Sequence, residues 1–284
     1  MELIPEGAST TEEIEHLDLA RRSVDRVIID HPHLDAGSAA WLGSRGIPWL
    51  TFTHRDHWLG EPDWLVNIRP GLAPRQASGR TRFLHGPAYA VLREEFAEAC
   101  EAAYRSLGEN PRLFVTFGGG DDFGAGECLL PPLLEAFPEL AVDVVTTRAN
   151  SGLAVIEALC RTHGKRAALH VGPDRMQPLM CRAGAALIAG GTTTYELAAV
   201  GIPFLVVTLV ENQRAQAAAW ADLGAAVDLG SVDERSVGDR AVTAVDALVR
   251  DAGACQAMRQ AGRRQVDGRG AERILEALAQ SPRR

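Results

Sequence analysis

Residues 185–203 read Ala185-Ala-Leu-Ile-Ala-Gly-Gly-Thr-Thr-Thr-Tyr-Glu196-Leu-Ala-Ala-Val-Gly-Ile-Pro203. The opening apolar run predicts a buried strand over 185–189, and the threonines predict the start of a helix. Gly190 and Gly191 at the junction let a ligand approach the backbone closely. The first amides of the helix, its positive dipole end and the hydroxyls of Thr192 and Thr193 then form an anion site. Glu196, one turn further in, is placed to reach a ribose diol beside a bound phosphate. A glycine turn capped by threonine gives the same pattern without a ligand, so the register of the surrounding chain decides between the two.

That register alternates. Strands are expected near 112–117, 140–145, 166–170, 203–208 and 225–228, with helices between them and at 234–250, 253–265 and 271–280. Strand–helix alternation at this spacing implies parallel sheets with right-handed crossovers, the doubly wound α/β class. Gly118-Gly119-Gly120-Asp121-Asp122 follows the first of these strands, where a ligand crevice belongs. It is neither GxGxxG nor a P-loop, since it lacks GK[ST]. Glu211-Asn212-Gln213 follows the strand at 203–208 on the same edge, and uncharged amides there suit sugar hydroxyls or simply cap a helix.

Upstream of the turn cluster Gly108-Glu-Asn-Pro111, the signal is a second, shorter α/β region. Thr10 with Glu13 forms a capping box for a helix over 11–22. Val27-Ile-Ile-Asp30 ends in His31-Pro-His33-Leu-Asp35, and a helix over 36–45 leads to the strand 48–52 and the cluster Thr53-His54-Arg-Asp56-His57. A strand at 64–67 precedes an Arg/Pro/Gly-rich stretch, 68–82, read as loop, and 89–107 is read as a long amphipathic helix. Two doubly wound, Rossmann-like domains facing a cleft are expected: 1–109, shortened, on the acceptor and catalytic side; 110–268 for the nucleotide-sugar; and 269–284 as a terminal helix and tail. In a parallel sheet the four histidines project to one edge with Asp30, Asp35 and Asp56. A histidine beside a carboxylate suits general acid–base work. HxH and HxxH on separate loops without cysteines are weak zinc patterns, so no metal and no cofactor is expected.

The 284 residues carry a net charge of −8 and 23% charged residues. An acidic chain of ordinary globular composition argues against a nucleic-acid partner. Lys165 is the only lysine among 29 basic residues, which reads as the codon usage of a GC-rich genome. The five cysteines, Cys100, Cys128, Cys160, Cys181 and Cys255, lie far apart without a CxxC pair and read as buried free thiols of a reducing compartment. The acidic start lacks a signal peptide pattern, and no run reaches the ~18 apolar residues of a spanning helix. A soluble cytoplasmic protein is expected.

Val27-Ile-Ile-Asp-His31, Gly86-Pro-Ala-Tyr-Ala-Val-Leu-Arg-Glu-Glu-Phe96 and Gly118-Gly-Gly-Asp121 together resemble the nucleotide-sugar hydrolase of pseudaminic acid biosynthesis and the related spore-coat polysaccharide proteins. Ala189-Gly-Gly-Thr-Thr-Thr-Tyr-Glu196 through Glu211-Asn-Gln213 is similar to the donor domain of the lipid II-forming N-acetylglucosaminyltransferase. The resemblance implies the GT-B glycosyltransferase fold and an enzyme that cleaves the anomeric C–O bond of a UDP-sugar, as hydrolase or transferase; with no Asp-x-Asp at a strand end and an anion site made of amides and hydroxyls, its activity is expected to be metal-independent. It implies that Gly191, Thr192 and Thr193 hold the diphosphate and Glu196 the ribose. Backbone around His170 and Val171 would meet the uracil, Asn212 and Gln213 would face the sugar, and Tyr89 and Arg93 would lie near the interdomain cleft. Against the family pattern, the chain begins about two βα units late, without the GxGHxxR loop that carries the family's base, and has Thr53-His54 where an acidic pair is usual. His54, oriented by Asp56, and then His31 are the replacement bases. A non-catalytic nucleotide-sugar-binding subunit is the contrasting expectation, with a homodimer or another chain as partner.

Overall fold

A computed structural model describes residues 24–31, 34, 36–53, 60–71, 81–97 and 104–280. The helix expected over 11–22 and the residues His33, Asp35, His54, Asp56 and His57 lie outside these. The chain gathers into two compact units, one ending at Tyr89 and one beginning at Ala90.

The first unit holds four parallel strands in chain order: β1 (Val27–Ile29), β2 (Trp49–Phe52), β3 (Trp64–Asn67) and β4 (Arg82–His85). Helix α1 (Ala36–Ser44) joins β1 to β2. Strands this short need help to keep register. Asp63 supplies it, its Oδ2 accepting from Trp49 N at 3.0 Å while its own N donates to Trp49 O at 2.9 Å. Leu42, Trp49 and Ile29 pack as one apolar cluster on this sheet. Strand β4 begins at the end of the stretch read as loop. Leu84 is buried opposite Val66, but a four-residue run of Arg-Phe-Leu-His with two polar ends carries little periodic signal.

The second unit is a six-stranded sheet of β5 (Arg112–Thr116), β6 (Ala141–Thr146), β7 (Ala167–Val171), β8 (Ala185–Ala189), β9 (Phe204–Thr208) and β10 (Ala226–Ser231). All pairs are parallel, in the order β10-β9-β8-β5-β6-β7. The chain starts in the middle, winds outward to β7, then returns to wind the other way, which is the Rossmann strand order. Crossovers are α2 (Ala125–Ala136), α3 (Leu153–His163), α4 (Gln177–Cys181), α5 (Thr193–Val200) and α6 (Glu211–Asp222), followed by α7 (Val237–Arg250), α8 (Ala252–Gln265) and α9 (Gly270–Ala279). The central strands are mostly apolar because helices cover both faces. Every residue of β8 and β9 is buried. Trp220 of α6, fully buried, meets Tyr195 and Phe204 edge-on at 5.5 and 5.9 Å, which fixes α6 against α5 and β9.

Two expectations are corrected here. No α-helix occupies the described part of 89–107. Pro87–Tyr89 and Glu94–Phe96 are single 3-10 turns, with Arg93 extended between them (φ −62, ψ 147). Tertiary packing overrides the helical pattern: Phe96 is buried, and Gly268 lies so close that a Cβ there would stand 2.5 Å from Ala97 Cα. Nor are all five cysteines buried free thiols. Cys128, Cys160 and Cys255 are free, Cys128 being exposed, whereas Cys181 is disulfide-bonded. Separation along the chain says nothing of the Cβ proximity that a bridge needs. Among the described residues, no helix is long and apolar enough to cross a membrane.

Candidate functional site

The winding direction reverses between β5 and β8, where Thr116 stands opposite Ile188. The loops after these two strands therefore open side by side at the carboxyl edge, where doubly wound sheets bind ligands. They are the two glycine segments, Gly118–Gly120 and Gly190–Gly191.

The β5 loop is stiff despite its glycines. Gly118 takes φ +106, and Thr147 Oγ1 donates to Gly119 O at 2.6 Å. Asp122, buried, accepts from Gly124 N and Gly126 N at 3.2 and 3.0 Å, closing the start of α2. Asp121 accepts from Ser151 Oγ at 2.7 Å and Phe123 N at 2.8 Å. These hydrogen bonds, Ser151's first, hold the Asp121 carboxyl below the usual range.

The β8 loop divides its labour. Gly190 is a packing glycine: a Cβ there would meet Gln213 Cβ at 3.0 Å. Gly191 faces open space, with nothing within 4 Å of its notional Cβ. In α5, Thr194 N donates to Gly191 O and Tyr195 N to Thr192 O at 3.2 and 3.0 Å. The amides of Thr192 and Thr193, one step ahead, are the donors that an anion would take. Thr192 is exposed and Thr193 half-buried. Gln216 of α6 braces this turn, its Nε2 donating to Gly191 O at 2.9 Å and Thr194 Oγ1 at 3.0 Å. Gln213 Oε1 accepts from Leu209 N at 3.0 Å and so holds the β9 loop, while Asn212 is exposed in the first turn of α6.

Glu196 lies one turn into α5, its side chain 17% exposed and 3.9 Å from the Arg93 guanidinium. Burial lifts its carboxyl above the usual range; Arg93 opposes this and Glu95 adds to it. Arg93 also pairs with Glu95 at 3.1 Å, and Arg175 closes on the same Glu95 at 3.2 Å. Thus the segment at 93–95 is locked to α5 and to the loop after β7 through charge. Tyr89 ends the 3-10 turn of the first unit.

At the sheet's outer edge, Val171 is exposed and ends β7. The His170 ring turns inward, its Nε2 3.0 Å from Asp143 Oδ1. Asp143 is wholly buried, yet Arg112 donates to its Oδ2 at 3.0 Å and Arg182 grips both oxygens. Burial alone would raise the Asp143 carboxyl, but the hydrogen bonds from His170, Arg182 and Arg112 outweigh it and hold it below the usual range. In the first unit, His31 lies two residues past the end of β1, after Asp30, and is half-buried.

No family model matches the chain. The spore coat polysaccharide biosynthesis protein SpsG of Bacillus subtilis (strain 168) is 29% identical over 205 residues, 70% of this chain. The chain spans 59% of that relative's length. MurG of Acinetobacter baumannii superposes with a TM-score of 0.67 at 17% identity, over 95% of this chain and 77% of that one. MnaA of S. aureus, in a co-structure with UDP, gives 0.63 at 12% identity over 97% and 83%. The fold is GT-B-like. Its two parallel, Rossmann-like sheets match the sequence expectation of a doubly wound α/β protein.

Both glycine loops follow their strands and Glu196 lies one turn into α5, as the sequence placed them, but the residues that brace them were not foreseen. Gln216 follows Gln213 by three residues and so shares its helix face, a signal that was present. Asp143 is a lone charge inside the apolar run Ala141-Val-Asp-Val-Val145, which itself signals a buried partner charge. Nothing in the sequence pointed to Arg93 meeting Glu196 across 103 positions.

Proposed function

We propose that the chain is a nucleotide-sugar-dependent enzyme that cleaves the anomeric C–O bond of a UDP-sugar, with residues 110–268 as its nucleotide-sugar region. The observation that carries this reading is the reversal of winding between β5 and β8, which brings the open Gly191 turn and the start of α5 to the ligand-binding edge. The diphosphate would sit on the Thr192 and Thr193 amides, with the ribose on Glu196, the uracil by the backbone of His170 and Val171, and the sugar toward Gly118, Gly119, Asn212 and Gln213. The 29% identity to a spore coat polysaccharide biosynthesis protein and the likeness to a protein solved with UDP support it. As the C–O bond breaks, negative charge grows on the departing diphosphate. Fixed amides and the helix dipole stabilise that charge without reorganisation.

The base is proposed to come from the first unit, as His54 oriented by Asp56 or as His31, acting on water in a hydrolase or on a hydroxyl or amine in a transferase. Calorimetry with UDP and turnover of a UDP-sugar panel, with and without acceptors, test the reading. UDP binding with release of UDP from one sugar is expected. Loss of about 10²–10⁴-fold in turnover in His54→Ala or His31→Ala, at unchanged UDP affinity, would identify the base. UDP binding without turnover would leave a nucleotide-sugar-binding protein.

A further inference from the structure

The β5 loop holds a residue that its own backbone disfavours. Phe123 has φ +52 and is the one non-glycine with positive φ among the described residues. Bulky side chains rarely adopt that region, which glycine takes freely. Phe123 is 58% exposed, whereas Phe96, Phe114 and Phe204 are each 1% exposed or less. Neither burial nor turn chemistry accounts for a phenylalanine here. Hydrogen bonds hold the loop around it: Asp121 takes the Phe123 amide, Asp122 takes the amides of Gly124 and Gly126, and Ser151 ties Asp121 to the loop after β6. Strained residues that their surroundings over-determine cluster at ligand clamps. This one stands in the loop after β5, the strand that pairs with β8 at the switch point.

We propose that Phe123 is a specificity-determining residue whose ring stacks on a C–H face of the hexose carried by the bound nucleotide. The proposal rests on the nucleotide-sugar reading above. A rigid, pre-exposed aromatic ring offers a flat apolar surface at little entropic cost, and UDP alone has no hexose to meet it. The site therefore distinguishes UDP-hexose from UDP partly through this contact.

The test is calorimetric, on the full chain, with UDP and a panel of UDP-hexoses. Phe123→Gly suits the backbone and should melt no lower than wild type; Phe123→Tyr keeps the ring. UDP affinity should stay within about twofold in both variants. Affinity for the preferred UDP-hexose should fall roughly three- to tenfold in Phe123→Gly and be retained in Phe123→Tyr. If Phe123→Gly changes UDP and every UDP-hexose by the same factor, the stacking role is overturned while the nucleotide site stands. If wild type binds neither, the nucleotide reading falls and this proposal with it.

Discussion

Glu196 keeps most of its side chain out of water and still lies 3.9 Å from the Arg93 guanidinium. Burial raises its carboxyl, so the neutral form favours the folded apo protein, and that contribution is lost as pH rises through the raised value. Ribose hydroxyls donate to the ionised form. UDP affinity should therefore increase as pH rises across the same window, and calorimetry at several pH values should show Glu196→Gln flattening the increase. Glu196→Ala should weaken UDP binding about tenfold or more, since a hydrogen bond to a charged group contributes roughly 1.5–3 kcal/mol. Equal affinity in the mutant would remove Glu196 from the ribose. At this scale the sequence was half legible. Glu196 sits at a fixed offset from a glycine turn, which periodicity reports. Arg93 reaches it only through the tertiary path of 90–97, which periodicity cannot report.

The turn from β8 into α5 is the element on which the phosphate assignment rests. Gly190 is filled by Gln213, but Gly191 opens to solvent, and the two glycines should therefore fail differently. Gly191→Ala should leave the melting temperature near wild type and weaken UDP binding, because the new methyl occupies the approach to the Thr192 and Thr193 amides. Gly190→Ala should lower the melting temperature, because Gln213 must give way. Thermal melts with and without UDP separate the two. Strands β5, β8 and β9 were readable because both faces are covered and their sequences are largely apolar, and β6 keeps the pattern on either side of Asp143. The segment 89–107 misled because its helical spacing is overruled by the contact of Phe96 and Ala97 with the Gly268 turn.

Across the second unit, Asp143 ties β5, β6, β7 and the approach to β8 through Arg112, His170 and Arg182. Its carboxyl is held below the usual range, so its contribution is present above the unfolded value and lost as pH falls through the folded one. Asp143→Asn should cost roughly 2–3 kcal/mol in denaturant unfolding, less than a fully buried pair because its cationic partners remain partly exposed, and should blunt acid denaturation. Activity, which the proposal routes through amides and hydroxyls, should survive EDTA; complete loss that added metal rescues would point instead to the histidines of the first unit. The parallel α/β architecture was legible from alternation alone; of the charged frame beneath the sheet edge only Asp143 carried a signal, because its partners are scattered along the chain from 112 to 182. The most direct test of the central claim is a crystal structure of the full chain grown with UDP. The account predicts the diphosphate within hydrogen-bonding distance of the Thr192 and Thr193 amides and the ribose hydroxyls on Glu196. UDP seated away from the β5–β8 switch point would contradict it.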